Sequence, residues 1–108
     1  MKGDIGGRTL EVSEMIEAYI NRIIQGDCLE LFRRIPDNSV DITFADPPFN
    51  LKKKYNSMKD SLELEEYLHW CEGWISEMVR VTKPTGSIFV HNIPKWLTYY
   101  VGFLNKLA

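Results

Sequence analysis

The sequence predicts an α/β fold in which a mostly parallel sheet is flanked by helices. Short segments rich in β-branched and aromatic residues alternate along the chain with segments whose apolar residues recur at helical spacing. The strand-like segments are 22–25, 40–45 and 87–91, and the helix-like segments are 28–35, 64–81 and the stretch that follows Pro94. Because strands that alternate with helices pair in parallel, this order indicates a three-stranded sheet with helices packed against it.

Length and composition restrict the class of protein. The 108 residues suffice for one small domain, and a content of 44% hydrophobic and 26% charged residues excludes a disordered, collagen-like or cysteine-dense secreted chain. The formal net charge of -2 argues against nucleic-acid binding by bulk charge alone, but it permits a local basic patch. The two cysteines fit no zinc-ligand spacing, so we expect reduced thiols and no metal site. Without a signal peptide or a membrane-spanning run, the expected location is the cytoplasm.

The beginning of the chain differs in character from the rest. Three glycines within the first seven residues predict a flexible lead-in, and a short amphipathic helix is expected over 12–20. We therefore divide the chain into a lead-in, 1–21, and a folded part, 22–108.

Local breakers separate the elements of the folded part. The first strand stops at Gly26, and the turn formers at 36–39 end the helix 28–35. Two consecutive prolines follow the strand 40–45, and because proline has no N–H to donate, the sheet must release the chain there. The residues KPTG at 83–86 predict a turn before the last strand, and residues 50–60 an exposed loop.

The segment 64–81 is the longest predicted helix. One apolar face at three- and four-residue steps contains Leu64, Tyr67, Leu68, Cys71, Trp74, Ile75, Met78 and Val79. His69 falls off this face and is expected to be exposed. Cys71 and also Cys28 are expected in or near the core.

Acidic residues follow two of the predicted strands. In open α/β sheets ligands bind beyond the carboxyl ends of the strands, and Asp27 and Asp46 occupy such positions. The Asp46 carboxylate and the Pro47 carbonyl can accept the two hydrogens of an exocyclic amine, while Phe49 stacks on the ring that bears the amine. The same turn-forming residues are also typical of a segment that binds no ligand and only leads the chain from the strand into a loop.

Three segments resemble one enzyme family. The segment 40–50, VDITFADPPFN, resembles the catalytic motif of amino-methylating DNA methyltransferases, which modify adenine N6 or cytosine N4. The segment 26–29, GDCL, resembles the motif one βα unit earlier in the permuted, β-class members, and 83–90, KPTGSIFV, resembles the turn and strand that follow. The resemblance covers about residues 22–108.

This resemblance implies a partial Rossmann-like sheet and methyl transfer from S-adenosyl-L-methionine to a flipped base of double-stranded DNA. Asp46, Pro47, Pro48 and Phe49 would form the catalytic site. Hydrogen bonds from both amine N–H groups to fixed acceptors favour the pyramidal nitrogen that attacks the sulfonium methyl. The aspartate form of the motif favours adenine N6 over cytosine N4.

The resemblance also implies cofactor and DNA contacts. Asp27, Cys28 and Asp46 would bind the cofactor, although Asp27 alternatively serves only to cap the helix that follows it. The DNA-binding candidates are Asn50, Lys52, Lys53 and Lys54. The lysine run at 52–54 is equally consistent with contact to DNA phosphates and with a solvated loop. His91 and Asn92, at the end of the last strand, either line the pocket or form a hydrogen-bonded turn.

One family motif is absent. The aromatic-x-Gly-x-Gly turn that binds the cofactor does not occur, since Gly6 and Gly7 do not follow a strand. In the permuted class this motif lies near the carboxyl end, after the target-recognition region. We therefore expect a truncated chain that is inactive alone. Its incomplete sheet is expected to expose an apolar edge that associates with a second copy. A restriction endonuclease is the expected functional partner.

Two alternatives are kept. The first is an RNA base methyltransferase, some of which carry Asp-Pro-Pro-aromatic after the glycine motif, but too little chain separates Gly7 from Asp46 for that order. The second is a non-catalytic remnant that binds a partner or DNA through its basic loop.

Overall fold

The computed structural model describes residues 2–5, 8–11, 16–48, 53–55, 58–60 and 63–107. The strands are β1 (Lys2–Ile5), β2 (Arg8–Glu11), β3 (Val40–Ala45), β4 (Lys53–Tyr55), β5 (Met58–Asp60) and β6 (Thr82–Val90), and the helices are α1 (Cys28–Phe32), α2 (Leu64–Val81) and α3 (Pro94–Leu107). The predicted strand 40–45, the predicted helix 64–81 and the helix from Pro94 are confirmed.

Among the described residues the strands form three two-stranded sheets. β3 and β6 are parallel and are connected through α2, whereas β1–β2 and β4–β5 are antiparallel hairpins. A parallel pair requires a long crossover, and α2 supplies it. The predicted α/β class with flanking helices is thus confirmed, and the arrangement is compatible with part of a Rossmann-like sheet.

The chain divides into two compact units, of which the first comprises Met1–Thr43 and Glu77–Ile88. Arg80 organises this unit, because its guanidinium donates to the carbonyls of Phe32 at 2.7 Å and Ile35 at 2.8 Å and to the Asp37 carboxylate at 2.7 Å. These bonds satisfy carbonyls near the carboxyl end of α1, which have no partner within the helix. A single side chain therefore ties the end of α1 and the turn after it to α2.

The second unit comprises Phe44–Ser76 and Phe89–Ala108. Its core is aromatic and lies between α2 and α3. The buried side chains are Tyr67, Cys71, Trp74, Ile75, Trp96 and Tyr100. The rings of Tyr67 and Trp96 are 4.7 Å apart and those of Trp74 and Tyr100 are 5.6 Å apart in an edge-to-face arrangement. Four residues of the predicted apolar face of α2 lie in this core, namely Tyr67, Cys71, Trp74 and Ile75, whereas Leu64 of that face is exposed. His69 is exposed as expected.

The predicted strand at 22–25 is wrong. These residues have no strand pairing, and Ile23 is fully exposed. β-Branched residues favour strands because they pack on a pleated, half-covered surface, and no such surface covers Ile23. The helix that follows, α1, ends at Phe32, before the predicted end at residue 35.

The predicted turn at 83–86 is also wrong, since β6 runs through it from Thr82. Pairing with β3 overrides the turn preference of Pro84 and Gly86. A Cβ on Gly86 would lie 2.5 Å from the Asp41 carbonyl oxygen and 2.7 Å from the Thr82 side chain. Glycine at this position therefore permits a close approach of two backbones and does not form a turn.

Two further segments differ from expectation. β1 and β2 form a hairpin where the glycines favoured a flexible lead-in, and β4 and β5 form another within the expected loop at 50–60. The expectation that no strand precedes Gly6 is wrong, because β1 ends at Ile5. Antiparallel pairing between residues close in sequence needs only a short connection, so local backbone hydrogen bonds can outweigh the turn and charge signals. Of the helix expected over 12–20, residues 12–15 lie outside the described residues, residues 16 and 17 are helical, and a turn occupies 18–21.

Candidate active site

Asp46 lies immediately beyond β3, where the chain leaves the parallel sheet. Its side chain is 58% exposed, and its Oδ1 lies 3.0 Å from Nδ1 of His91, the first residue after β6. The His91 backbone N–H donates to the Ala45 carbonyl at 2.9 Å. Because the two strands are parallel, their carboxyl ends meet at the same edge and bring these side chains together. His91 therefore lies beside Asp46, and its lining of a pocket stays a prediction.

Pro48 is held by the core of the same unit. The hydroxyl of Tyr67, on α2, donates to the Pro48 carbonyl at 2.5 Å. The tyrosine is buried, whereas Pro48 is half-buried. The motif thus leaves the sheet with one of its carbonyls bonded to a helix.

The Tyr67 hydroxyl continues into a buried hydrogen-bond network. It lies 3.2 Å from the hydroxyl of Tyr100, which also accepts from Asn92 Nδ2 at 3.0 Å and lies 3.4 Å from Cys71 Sγ. Burial raises the pKa of Tyr67 to about 12 and raises the pKa of the Tyr100 hydroxyl and the Cys71 thiol as well. All three groups are therefore neutral donors and acceptors at physiological pH.

Two acceptors of the motif have no hydrogen bond to the described residues. They are Oδ2 of Asp46 and the carbonyl oxygen of Pro47. Asp46 is exposed and Pro47 half-buried, so a ligand can approach from solvent. The motif therefore presents one carboxylate oxygen and one carbonyl oxygen from adjacent residues, between two groups that are already bonded.

Asp27 and Cys28 belong to the other unit. Asp27 caps α1, because its Oδ1 accepts from the Leu29 N–H at 2.9 Å. The capping role is observed, and the cofactor role stays a prediction. Cys28 is exposed, so its expected place in or near the core is wrong. At the start of this short helix it meets no element that covers it.

The remaining site candidates cannot be placed with their side chains. Phe49, Asn50 and Lys52 lie outside the described residues. Lys53 and Lys54 belong to β4, and only their backbone is described. Stacking and DNA contact by these five residues therefore stay predictions.

Tyr67, Tyr100 and Asn92 were not assigned to the site by sequence. Tyr67 is spaced like any core residue of α2, and its partners lie 19 and 33 positions away along the chain. The sequence does contain one indication of their role. A tyrosine on a buried helix face needs a hydrogen-bond partner for its hydroxyl, whereas a phenylalanine at the same position would not.

No helix among the described residues combines the length and hydropathy required to cross a bilayer.

Comparisons with known proteins agree on one family. A family model described as DNA methylase, of the N6/N4 methyltransferase type, matches residues 40–105. The type II methyltransferase M.BamHI of Bacillus amyloliquefaciens is 46% identical over 97 residues, which are 89% of this chain and 23% of that protein. The type II methyltransferase M.BglII of Bacillus subtilis is 43% identical over 77 residues, which are 71% of this chain and 21% of that protein.

A third relative is more distant. The type II methyltransferase M.HpaI of Haemophilus parainfluenzae is 32% identical over 85 residues, covering 79% of this chain and 27% of that protein. The chain thus spans about a quarter of the length of the curated relatives that it matches.

Proposed function

The chain belongs to the N6/N4 family of DNA methylases, and on that premise we propose that it contains the catalytic motif of an enzyme that methylates the exocyclic amine of a base in double-stranded DNA. The observation that carries the proposal is a pair of acceptors to which no described residue donates, Asp46 Oδ2 and the Pro47 carbonyl, at the carboxyl edge of the parallel sheet. An exocyclic amine has two hydrogens, and this pair can accept both.

The two acceptors make the amine a better nucleophile. The nitrogen lone pair of an aromatic amine is delocalised into the ring, and attack requires it to become pyramidal. Fixed acceptors for both N–H groups favour that geometry and stabilise the positive charge that develops on nitrogen, without a covalent intermediate. Asp46 supplies the negative charge and Pro47 the second acceptor.

His91 orients the Asp46 carboxylate. The bond from the imidazole ring to Oδ1 leaves Oδ2 as the oxygen directed to the substrate. Without such a partner an exposed carboxylate rotates freely, and the acceptor would have to be ordered each time that a base binds.

The family uses S-adenosyl-L-methionine, which supplies an electrophilic methyl group on a sulfonium sulfur. An exposed carboxylate beside a sheet edge fits a cationic cofactor by charge, and on that ground we assign Asp46 to cofactor binding. Asp27 and Cys28 are retained as cofactor-binding candidates because of the motif that they belong to. Asp27 can accept a further hydrogen bond while it caps α1, since a carboxylate has two oxygens.

The finer parts of the proposal concern the base and the DNA. We assign adenine N6 in preference to cytosine N4, because the motif begins with aspartate. Phe49 would stack on the flipped base, and Asn50 with Lys52, Lys53 and Lys54 would contact the DNA. Type II relatives suggest a role in restriction–modification beside an endonuclease. The division at residues 21 and 22, the permuted motif order and self-association are also retained as proposals.

The test measures transfer of the labelled methyl group from S-adenosyl-L-methionine to DNA by the protein expressed from its complete reading frame. Asp46→Asn removes the charge, and its matched control, Asp41→Asn, removes an exposed carboxylate from β3 that is paired with Lys83. We expect at least about a hundredfold loss for Asp46→Asn and a change within about twofold for the control. Equal activity of the two variants would refute the assignment of Asp46.

Mass spectrometry of the digested product distinguishes N6-methyladenine from N4-methylcytosine. A parallel reaction with RNA of the same sequence tests the alternative substrate. If no nucleic acid gains a methyl group, the proposed activity is wrong and the non-catalytic reading replaces it.

A further inference from the structure

The tripeptide Asp46-Pro47-Pro48 is bonded at both ends, by His91 at the carboxylate and by Tyr67 at the last carbonyl. We propose that Tyr67 is a positioning residue for methyl transfer, because its hydroxyl fixes the Pro48 carbonyl and thereby directs the Pro47 carbonyl toward the amine. This inference rests on the proposed function and adds a residue to the machinery of the same site.

The backbone of proline makes this coupling strong. The peptide bond between Pro47 and Pro48 is planar, and the pyrrolidine ring locks φ of Pro48 near -65°. One soft torsion, ψ of Pro48, therefore remains between the two carbonyl groups. Because the Tyr67 hydroxyl fixes the direction of the second carbonyl, the direction of the first is restricted to those reached by rotation about that one torsion.

The hydroxyl of Tyr67 is itself held in place. It has one hydrogen, which goes to the Pro48 carbonyl, so its oxygen accepts the hydrogen of Tyr100. The oxygen of Tyr100 in turn accepts from Asn92 and lies within reach of the Cys71 thiol. The hydrogens of both tyrosine hydroxyls are thus committed, and both side chains are buried.

Three tyrosine-to-phenylalanine variants separate positioning from stability. Tyr67→Phe deletes the bond to Pro48 but keeps the ring that packs on Trp96 at 4.7 Å. Tyr100→Phe deletes the support behind Tyr67 and leaves the bond to Pro48. Tyr99→Phe is the matched control, because Tyr99 is an exposed tyrosine on the same helix as Tyr100.

The readouts are kcat and KM for methyl transfer, together with the melting temperature of each variant. We expect Tyr67→Phe to lower kcat about tenfold to a hundredfold with KM for DNA and cofactor unchanged, since the misdirected acceptor acts in the transition state. Tyr100→Phe should lower kcat less but lower the melting temperature more, because its hydroxyl has three buried neighbours. Tyr99→Phe should change neither.

If Tyr67 had only a structural role, kcat would fall in parallel with the melting temperature. The expected order is the opposite, because Tyr67→Phe has the larger effect on kcat and Tyr100→Phe the larger effect on the melting temperature. Incorporation of 3-fluorotyrosine at position 67 retains the hydroxyl and should retain the parent kcat, which gives a second test that preserves the fold. Parent-like kcat for Tyr67→Phe overturns the positioning role alone. Absence of methyl transfer by the unsubstituted protein overturns the proposed function instead.

Discussion

The Nδ1 atom of His91 lies 3.0 Å from Oδ1 of Asp46, although 45 positions separate the two residues along the chain. The contact exists because β3 and β6 are parallel and end at the same edge. Both side chains are more than half exposed, so the pair contributes little to stability. Its consequence is orientation of the carboxylate.

This contact predicts a selective loss of activity in His91→Leu. We expect the rate of methyl transfer to fall about tenfold, because the Asp46 carboxylate loses the partner that orients it. The matched control is His69→Leu at the other histidine, which is exposed on α2. Equal rates for the two variants in a single-turnover assay would contradict the orienting role.

Gly86 and Gly102 predict opposite effects of the same substitution. Gly86→Ala places a methyl group 2.5 Å from the Asp41 carbonyl oxygen and should lower the free energy of unfolding by about 1–3 kcal/mol. Gly102 lies within α3 with open space around it, so Gly102→Ala should raise stability by about 0.5–1 kcal/mol. Urea denaturation measures both, and parent-like stability of Gly86→Ala would contradict the close approach of β6 to β3.

The buried tyrosines predict alkaline instability. The pKa of Tyr67 rises from an ordinary value of about 10 to about 12 on folding, chiefly through burial. The folded state then retains a proton that the unfolded state releases, so the stabilisation is complete below pH 10 and is lost as the pH rises toward 12. The loss attributable to Tyr67 is on the order of 2 kcal/mol.

Denaturation at a series of pH values between 9 and 12 measures this effect. Tyr67→Phe should show a shallower fall in stability over that interval than the parent, while Tyr99→Phe, which removes an exposed hydroxyl, should show the parent slope. A parent slope in Tyr67→Phe would place the titrating group elsewhere.

The sequence predicted correctly those elements whose residue pattern is itself typical of a helix or a strand. The apolar residues of 64–81 recur at helical spacing, and α2 has those bounds. Tyr67, Cys71, Trp74 and Ile75 are buried in the core of the second unit. The β-branched run at 40–45 forms β3 through its pairing with β6, although Ile42 and Phe44 are exposed. Burial of apolar residues therefore accounts for the correct prediction of α2, and strand pairing for that of β3.

The failures share a different cause. Residues 22–25 have strand propensity but no partner strand, and 83–86 have turn propensity but a partner, β3, that extends the strand through them. Strand pairing depends on residues that are distant along the chain, so the sequence of one segment does not show whether that segment has a partner strand. The bond between Tyr67 and Pro48 was invisible for the same reason, since it depends on how α2 packs.

The two anchors of Asp46-Pro47-Pro48 have a consequence for protein engineering. The residues that hold the tripeptide come from 19 and 45 positions away, in α2 and after β6. Grafting these three residues into another scaffold would transfer the carboxylate and the two carbonyl groups but not the contacts that orient them. A transplant that also supplies a buried phenol beneath the last carbonyl and an imidazole beside the acid would reproduce both.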